Sequence, residues 1–468
     1  MSTSQKIYKY IPASIRSLAA SYYGRRSRWW RYGPETDRLV DEVLERETWI
    51  ASKWQVWREQ RLAYLLHRAA TRVPFYRDQW AVRRRSGDAA SWEHLENWPI
   101  LDKDLLRKYP KAFLADDAAP RRMLNLHTSG TTGKPLDLWQ SRSVIRNWYA
   151  LAEARWHRWY GVTRHDRYAM LGGQLVTPVE QRRPPFWVWN APLQQLYMSS
   201  YHLAPDLMSY YLDAISRYHV TYLWGYTSSL YLLAEHVLRL KWCNANLRVV
   251  VLNAEPVYPY QRRLMSEAFR CPIRETYGMT EKVAAASECE HGQLHLWPDV
   301  GVVEVLEDGQ AVGHNVTGDM VCTGLLDDDM PLIRYRVGDR ASLGASDEKC
   351  ECKRTLPIIG AIEGRADDLL YTRDGRRVGR LDPVFKANLP VKEVQIIQES
   401  IDRVRIRFVP AEGFNEGVAD VIRERLQQRM GELNVEMEPV DHIPRGPNGK
   451  FRAVICNIVK AEHSAIDV

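Results

Sequence analysis

Residues 127–135 read HTSGTTGKP. Gly130 and Gly133 let backbone N–H groups approach an anion closely, because no Cβ stands in the way. Thr128, Ser129, Thr131 and Thr132 add hydroxyl donors, and Lys134 adds positive charge. Together they suit a polyphosphate. The stretch is not a Walker A loop. That pattern would need glycine at 128 and Ser or Thr at 135, where the chain has Thr128 and Pro135.

Downstream of this loop the chain alternates helix and strand. Asp206 is placed as the N-cap of a helix whose Leu207, Tyr210, Tyr211, Ala214 and Ile215 share one face. Val220–Trp224 predicts a strand, 228–239 a helix, and Leu247–Leu252 (LRVVVL) a strand buried on both faces. A helix over 261–269 and a strand over Ile273–Thr276 follow. This rhythm implies an α/β domain with crossover helices. Just after the loop, a helix from about Ser143 is expected to carry Trp148 and Trp159. Upstream, residues 36–85 predict helix interrupted at Pro74. Beyond about residue 368 the pattern changes: strands at Val394–Ile397, Val404–Phe408 and Val435–Val440 surround a helix over 415–430. The expected organisation is a large N-terminal α/β domain of parallel and mixed sheets, residues 1–366, with a helical lead-in over 1–90. A small mobile α+β domain, 367–468, follows a linker over Ile362–Arg373.

At 468 residues the chain is too long for one ordinary core. With 45% hydrophobic and 26% charged residues it has a globular composition, and no apolar run approaches a membrane span. The net charge is +7, and no acidic residue precedes Glu35. Lys6, Lys9, Arg16, Arg25, Arg26, Arg28 and Arg31 alternate there with Tyr and Trp. Residues 1–34 therefore read as a solvated helix packed on the domain, as a peripheral contact with an anionic membrane, or as a segment of transit-peptide composition. Nothing points to nucleic acid. Seven cysteines without a secretory apolar segment predict reduced thiols and a cytoplasmic protein. Cys289, Cys350 and Cys352, with His295 or His291, make a set able to hold tetrahedral zinc. Cys243, Cys271, Cys322 and Cys456 are expected to pack in the core.

Five more segments complete the series: Asn253–Pro256 (NAEP), Tyr277–Glu281 (YGMTE), Arg334–Asp339 (RYRVGD), Gly364–Asp368 (GRADD) and Pro447–Lys450 (PNGK). With 128–135, these resemble in order the motifs of the adenylate-forming superfamily, which comprises acyl-CoA synthetases, peptide-synthetase adenylation domains and luciferases. VPFY at 73–76 and MPLIRYRVGD at 330–339 are similar to the phenylacetate–CoA ligase branch and its CapK-like members from polysaccharide biosynthesis loci.

The resemblance implies ATP-dependent activation of a carboxylic acid as acyl-AMP. Catalytic roles would fall to Lys450, Glu281 and Lys134, with Glu281 holding Mg2+. ATP would be bound by Thr128, Ser129, Gly130, Thr131, Thr132, Gly133 and Lys134. Ala254, Glu255, Pro256, Tyr277, Gly278, Met279 and Thr280 would also bind ATP, with Tyr277 stacking on or flanking the adenine, and Asp339 and Arg365 would hold the ribose. Asp367 would be the hinge about which the small domain turns, and Gly225 and Tyr226 would border the acyl pocket. Related sequences favour His295 as the fourth zinc ligand. The implied acceptor is CoA, with an amine or hydroxyl, AMP transfer, or a nucleotide-binding scaffold as alternatives. Tyr371–Pro383 (YTRDGRRVGRLDP) departs from the family by carrying four arginines, read as binders of CoA phosphates or of an anionic sugar nucleotide.

Overall fold

The computed structural model describes residues 11–127, 136–178, 180–255, 257, 259–345, 348–360, 362, 370–378, 381, 384, 389–441, 443 and 454–458. The lead-in is helical: α1 (Ala13–Arg31), α2 (Thr36–Arg46), α3 (Ala51–Arg72) and α4 (Pro74–Arg85). Pro74 begins α4 at a position where a missing N–H costs little, so the interruption is a helix boundary. The short α5 (Lys103–Lys108) precedes an antiparallel hairpin of β1 (Leu124–His127) and β2 (Asp137–Gln140).

Helix α6 (Arg142–Ala152) ends sooner than expected. Residues Glu153–His157 widen into a π turn and Arg158–Tyr160 tighten into a 3-10 turn, so Trp159 is not on the helix. Then come β3 (Tyr168–Gly172), β4 (Trp187–Asn190), β5 (Gln195–Ser199), α7 (Met208–Arg217), β6 (Tyr222–Tyr226), α8 (Thr227–Leu240), β7 (Val249–Asn253), α9 (Pro259–Phe269), β8 (Ile273–Gly278), β9 (Ala285–Glu288) and β10 (Leu294–Leu296). Helix α7 starts after Leu207, so Asp206 does not cap it.

These strands form one sheet in the order β10-β9-β8-β7-β6-β3-β5-β4. The run from β8 to β5 is parallel, and β4, β9 and β10 join antiparallel at the edges. Val249–Leu252 are all buried, as a central strand covered on both faces requires. A second, antiparallel sheet follows from β11 (Gly301–Glu307), β12 (Gln310–Ala311), β13 (Gly318–Gly324) and β14 (Tyr335–Ala341). The hairpin of β15 (Leu370–Tyr371) and β16 (Arg377–Val378) opens the C-terminal part. There β17 (Val391–Ser400), β18 (Arg403–Pro410), α10 (Glu416–Met430), β19 (Asn434–Pro439) and β20 (Val454–Cys456) build a four-stranded sheet with one helix. Its core joins Val394, Ile406, Ile422 and Leu426.

A buried ion cluster fastens the lead-in to the π turn after α6 and to the segment between β10 and β11. Arg155, fully buried, lies 3.1 Å from Glu47 and 2.7 Å from Asp299, and Arg46 reaches Asp299 at 2.8 Å. Arg155→Leu would strand two carboxylates without their shared cation. Stability to urea is expected to fall by about 3–5 kcal/mol, whereas Arg38→Leu, an exposed pair with Glu42, changes it by less than about 1 kcal/mol.

Candidate active site

The carboxyl ends of β3, β6, β7 and β8 lie side by side, with Leu171 opposite Gly225, Tyr226 opposite Asn253, and Asn253 opposite Thr276. Ligands of open α/β sheets bind at such an edge. NAEP begins on the last residue of β7, and YGMTE begins on the last two of β8, so both motifs emerge here.

Asn253 is held from two sides. Its amide donates to the Gly225 carbonyl at 3.0 Å and accepts from Trp224 Nε1 at 2.8 Å. The chain then turns through Ala254 at φ +65°, a left-handed conformation that a residue with a Cβ adopts at a cost. Glu255 faces the start of α8, accepting from Ser228 N at 2.7 Å and from Ser228 Oγ at 3.1 Å. Its carboxylate complements the positive helix end.

Two tyrosines link the large sheet to the second one. Tyr277 on β8 donates its hydroxyl to Asp339 Oδ2 on β14 at 2.8 Å. Burial, then the charge of Asp339, holds the phenol pKa well above its usual value, so it stays a donor. Tyr335, also on β14, donates to Glu281 Oε1 at 2.9 Å. Gln140, the last residue of β2, donates to the Thr280 carbonyl at 3.0 Å and accepts from Lys282 Nζ. Burial lowers the Lys282 pKa to about 8, with Asp327 and Glu281 opposing the shift. The hairpin that flanks residues 128–135 is thus tied to the YGMTE turn. His127 and Asp137, facing each other at its mouth, pair at 2.7 Å.

Thr128, Ser129, Gly130, Thr131, Thr132, Gly133, Lys134, Pro256, Arg365, Asp367 and Lys450 lie outside the described residues. The structure therefore brings together Ala254, Glu255, Tyr277, Gly278, Met279, Thr280, Glu281 and Asp339. Gln140 and Lys282 join them as contacts that no motif singled out, since a lone Gln or Lys carries no spacing signal; Tyr335, within RYRVGD, joins them in a role the motif did not name.

Aromatic rings crowd the same edge. A Cβ added to Gly278 would stand 3.2 Å from Trp156 and 3.5 Å from Trp148. A Cβ on Gly173 would stand 3.0 Å from the Tyr226 hydroxyl and 3.4 Å from that of Tyr201. Tyr201 donates to the Gly173 carbonyl at 2.8 Å, and Tyr197 accepts from Gln174 N at 3.1 Å. Gly225 is different: a Cβ there would meet the Leu171 carbonyl at 2.6 Å, so its smallness serves the approach of β3 to β6.

At the far edge of the sheet, Cys289 and His295 flank the β9–β10 turn and meet Cys350 and Cys352. Their four ligand atoms lie within 4.8 Å of one another. Cys289 Sγ is 3.6 Å from Cys350 Sγ, and Cys352 Sγ is 3.4 Å from His295 Nε2. Tetrahedral zinc with Zn–S near ~2.3 Å and Zn–N near ~2.0 Å sets such edges at roughly 3.5–3.8 Å. His295 Nδ1 lies 3.0 Å from the Leu356 carbonyl, which can only accept, so Nε2 carries the lone pair facing the cluster. His291 instead pairs with Glu351 at 3.2 Å.

Two expectations need correction. Cys243 is exposed rather than packed, although Cys322 and Cys456 are buried. Among the arginines after the linker, Arg376 is buried and spends its guanidinium on the Arg429 and Met430 carbonyls at 2.9 and 3.2 Å, on the Tyr201 carbonyl and on Asp374. It secures the C-terminal end of α10. Arg373 pairs with Asp402. Neither is a free phosphate ligand, and Arg380 and the side chain of Arg377 lie outside the described residues.

Comparison with known proteins agrees with this architecture. The sequence model of the AMP-binding enzymes matches residues 55–325, and that of the CapK C-terminal domain matches residues 370–457. Protein CapK of Staphylococcus aureus is 24% identical over 467 residues, covering 97% of this chain and 99% of that protein. A phenylacetate-coenzyme A ligase of Thermus thermophilus is 27% identical, covering 88% and 98%. A 2-hydroxyisobutyryl-CoA ligase solved with 2-HIB-AMP and CoA shares the fold, with a TM-score of 0.57 and 20% identity over 90% of this chain and 94% of that one. Because the match extends over more than half of its length, the chain belongs to the AMP-binding enzymes, the adenylate-forming ligases, in their phenylacetate–CoA ligase and CapK-like branch.

Proposed function

We propose that this protein activates a carboxylic acid as its acyl-AMP and passes the acyl group to CoA. The observation that carries the reading is the double link between sheets, Tyr277 to Asp339 and Tyr335 to Glu281. It ties down a carboxylate suited to ribose hydroxyls, Asp339, and a carboxylate suited to Mg2+, Glu281, each through its own tyrosine. Tyr277 would flank adenine, Asp339 would accept from the ribose hydroxyls, and Glu281 would supply the hard oxygen ligand that Mg2+ requires. The metal would draw charge from the phosphates.

The acid's carboxylate oxygen bonds to the α-phosphorus as the bond to pyrophosphate breaks. Two anions meet in that step, so cations must offset their repulsion. Lys134 and Lys450 would serve the phosphates and the carboxylate. Tyr226, Tyr201, Trp148 and Trp156 would border the acyl group. The small domain, beginning near Asp367, would then turn, withdraw Lys450 and admit the acceptor. Cys289, His295, Cys350 and Cys352 would hold structural zinc. Residues 1–34 would touch an anionic surface, in a cytoplasmic enzyme of polysaccharide assembly.

The names of the phenylacetate-coenzyme A ligase relatives support CoA as acceptor. A second reading, an amine or hydroxyl acceptor, is favoured by Arg373 and Arg376, whose internal pairing leaves fewer cations for CoA phosphates. Product analysis separates them. With its acid and ATP, the enzyme is expected to form acyl-CoA at least about a hundredfold faster than the uncatalysed capture of released acyl-AMP by the thiol. Acyl-CoA formed no faster than that capture, with rapid conversion of an amine, would establish the second reading.

A further inference from the structure

A cavity of about 400 Å3 opens at the opposite end of the large sheet. Arg25, Arg28, Arg31, Arg164, His157 and His165 line it, with Trp29, Tyr32, Tyr168 and Tyr222 among the walls and no acidic residue. Tyr168 and Tyr222 are the first residues of β3 and β6, so the cavity faces the amino ends of strands whose carboxyl ends carry the candidate active site. Five strand residues set the two about 15 Å apart. It is a separate site.

Its charge is compensated only in part. Arg164 has Asp37 at 2.7 Å and Glu153 at 3.5 Å, and Glu153 also takes His157 at 2.7 Å. Among the described residues, no carboxylate lies within ion-pair distance of Arg25, Arg28 or Arg31. Arg28 donates to the Pro192 carbonyl at 3.1 Å, and Arg31 lies over the Tyr149 ring at 4.6 Å. Three guanidiniums around one cavity repel one another unless an anion sits among them. Guanidinium forks match phosphate oxygens, and the stacked Tyr168 and Tyr222 rings, 5.0 Å apart and 9° from parallel, give an apolar wall beside them.

We propose that this cavity binds the phosphate group of an organic phosphomonoester, outside the nucleotide site. Two sources share that chemistry: a soluble sugar or polyol phosphate, and the headgroup of an anionic lipid. The outward face of α1 continues the pocket with exposed Ile15, Leu18, Tyr22 and Trp29, which would enter a lipid layer in the second case.

The test uses the full chain and the exposed pair Arg25→Gln with Arg28→Gln. Calorimetric titration with sn-glycerol 3-phosphate, against glycerol at equal ionic strength, reads the soluble source. Sedimentation with phosphatidylcholine vesicles, with and without phosphatidic acid, reads the lipid source. Binding is expected in at least one arm, weakened about tenfold by the double substitution, with ATP–pyrophosphate exchange unchanged. Binding to glycerol phosphate alone assigns a soluble ligand; binding only to phosphatidic acid vesicles assigns the headgroup. Arg25→Lys with Arg28→Lys, keeping charge but not the fork, should retain part of the affinity and controls for folding. No phosphate-dependent binding in either arm, or binding that both variants leave unchanged, overturns the proposal.

Discussion

Glu281→Gln is expected to slow acid-dependent ATP–pyrophosphate exchange by about 10^3, roughly 4 kcal/mol of transition-state stabilisation. Glutamine keeps an oxygen to accept from the Tyr335 hydroxyl, 2.9 Å from the native carboxylate, so the turn should stay in place. What it loses is the negative charge that a divalent cation needs. Thermal stability should therefore change by less than about 1 kcal/mol while activity collapses. Tyr335→Phe separates positioning from charge: it leaves the carboxylate but frees it to rotate, and should cost about tenfold. Exchange above a tenth of the wild-type rate in Glu281→Gln would mean that Glu281 only braces the turn, and the magnesium assignment would be withdrawn.

The second large effect is expected from the cysteine cluster. Purified without chelator, the protein should carry one zinc per chain by elemental analysis. Cys350→Ser with Cys352→Ser should abolish it and lower Tm by roughly 10 °C. The argument is geometric. Cys289 and His295 sit on either side of the β9–β10 turn, while Cys350 and Cys352 come from a loop that follows β14, so a metal would clip that loop to the sheet edge. The loop is already held by the bridge between His295 and Ile358, which sets the limit on what the metal adds. Exchange activity below the new Tm should persist, since the cluster stands apart from Tyr277, Glu281 and Asp339. A metal-free protein as stable as one reconstituted with zinc would contradict the clip.

The parts legible in the sequence share one physical trait: their signal is local. LRVVVL reads as a doubly buried strand because all but Arg248 is apolar, and β7 occupies Val249–Asn253. The alternation at 404–408 gives β18, and the three cysteines read from ligand type, with His295 set above His291 by resemblance. Ends were harder. Asp206 is a good capping residue, yet α7 starts two residues later, because Leu207 and Met208 are buried and packing outweighs a cap worth about 1 kcal/mol. Trp159 left its helix because the buried Glu153 gathers His157, Arg158 and Arg164, and the backbone opens into a π turn to bring them round. Arg376 looked like a phosphate ligand because sequence reports charge but not burial. The Gln140–Lys282 link and the arginine cavity join residues more than a hundred positions apart, where spacing carries no information.

The central claim, adenylation of a carboxylic acid, is tested most directly by ATP–pyrophosphate exchange over a panel of aryl, fatty and amino acids, with Lys450→Ala alongside. The account predicts exchange that depends on one class of acid and is lost in Lys450→Ala. Tight ATP binding with no exchange from any acid of the panel, or exchange that Lys450→Ala leaves intact, would contradict it.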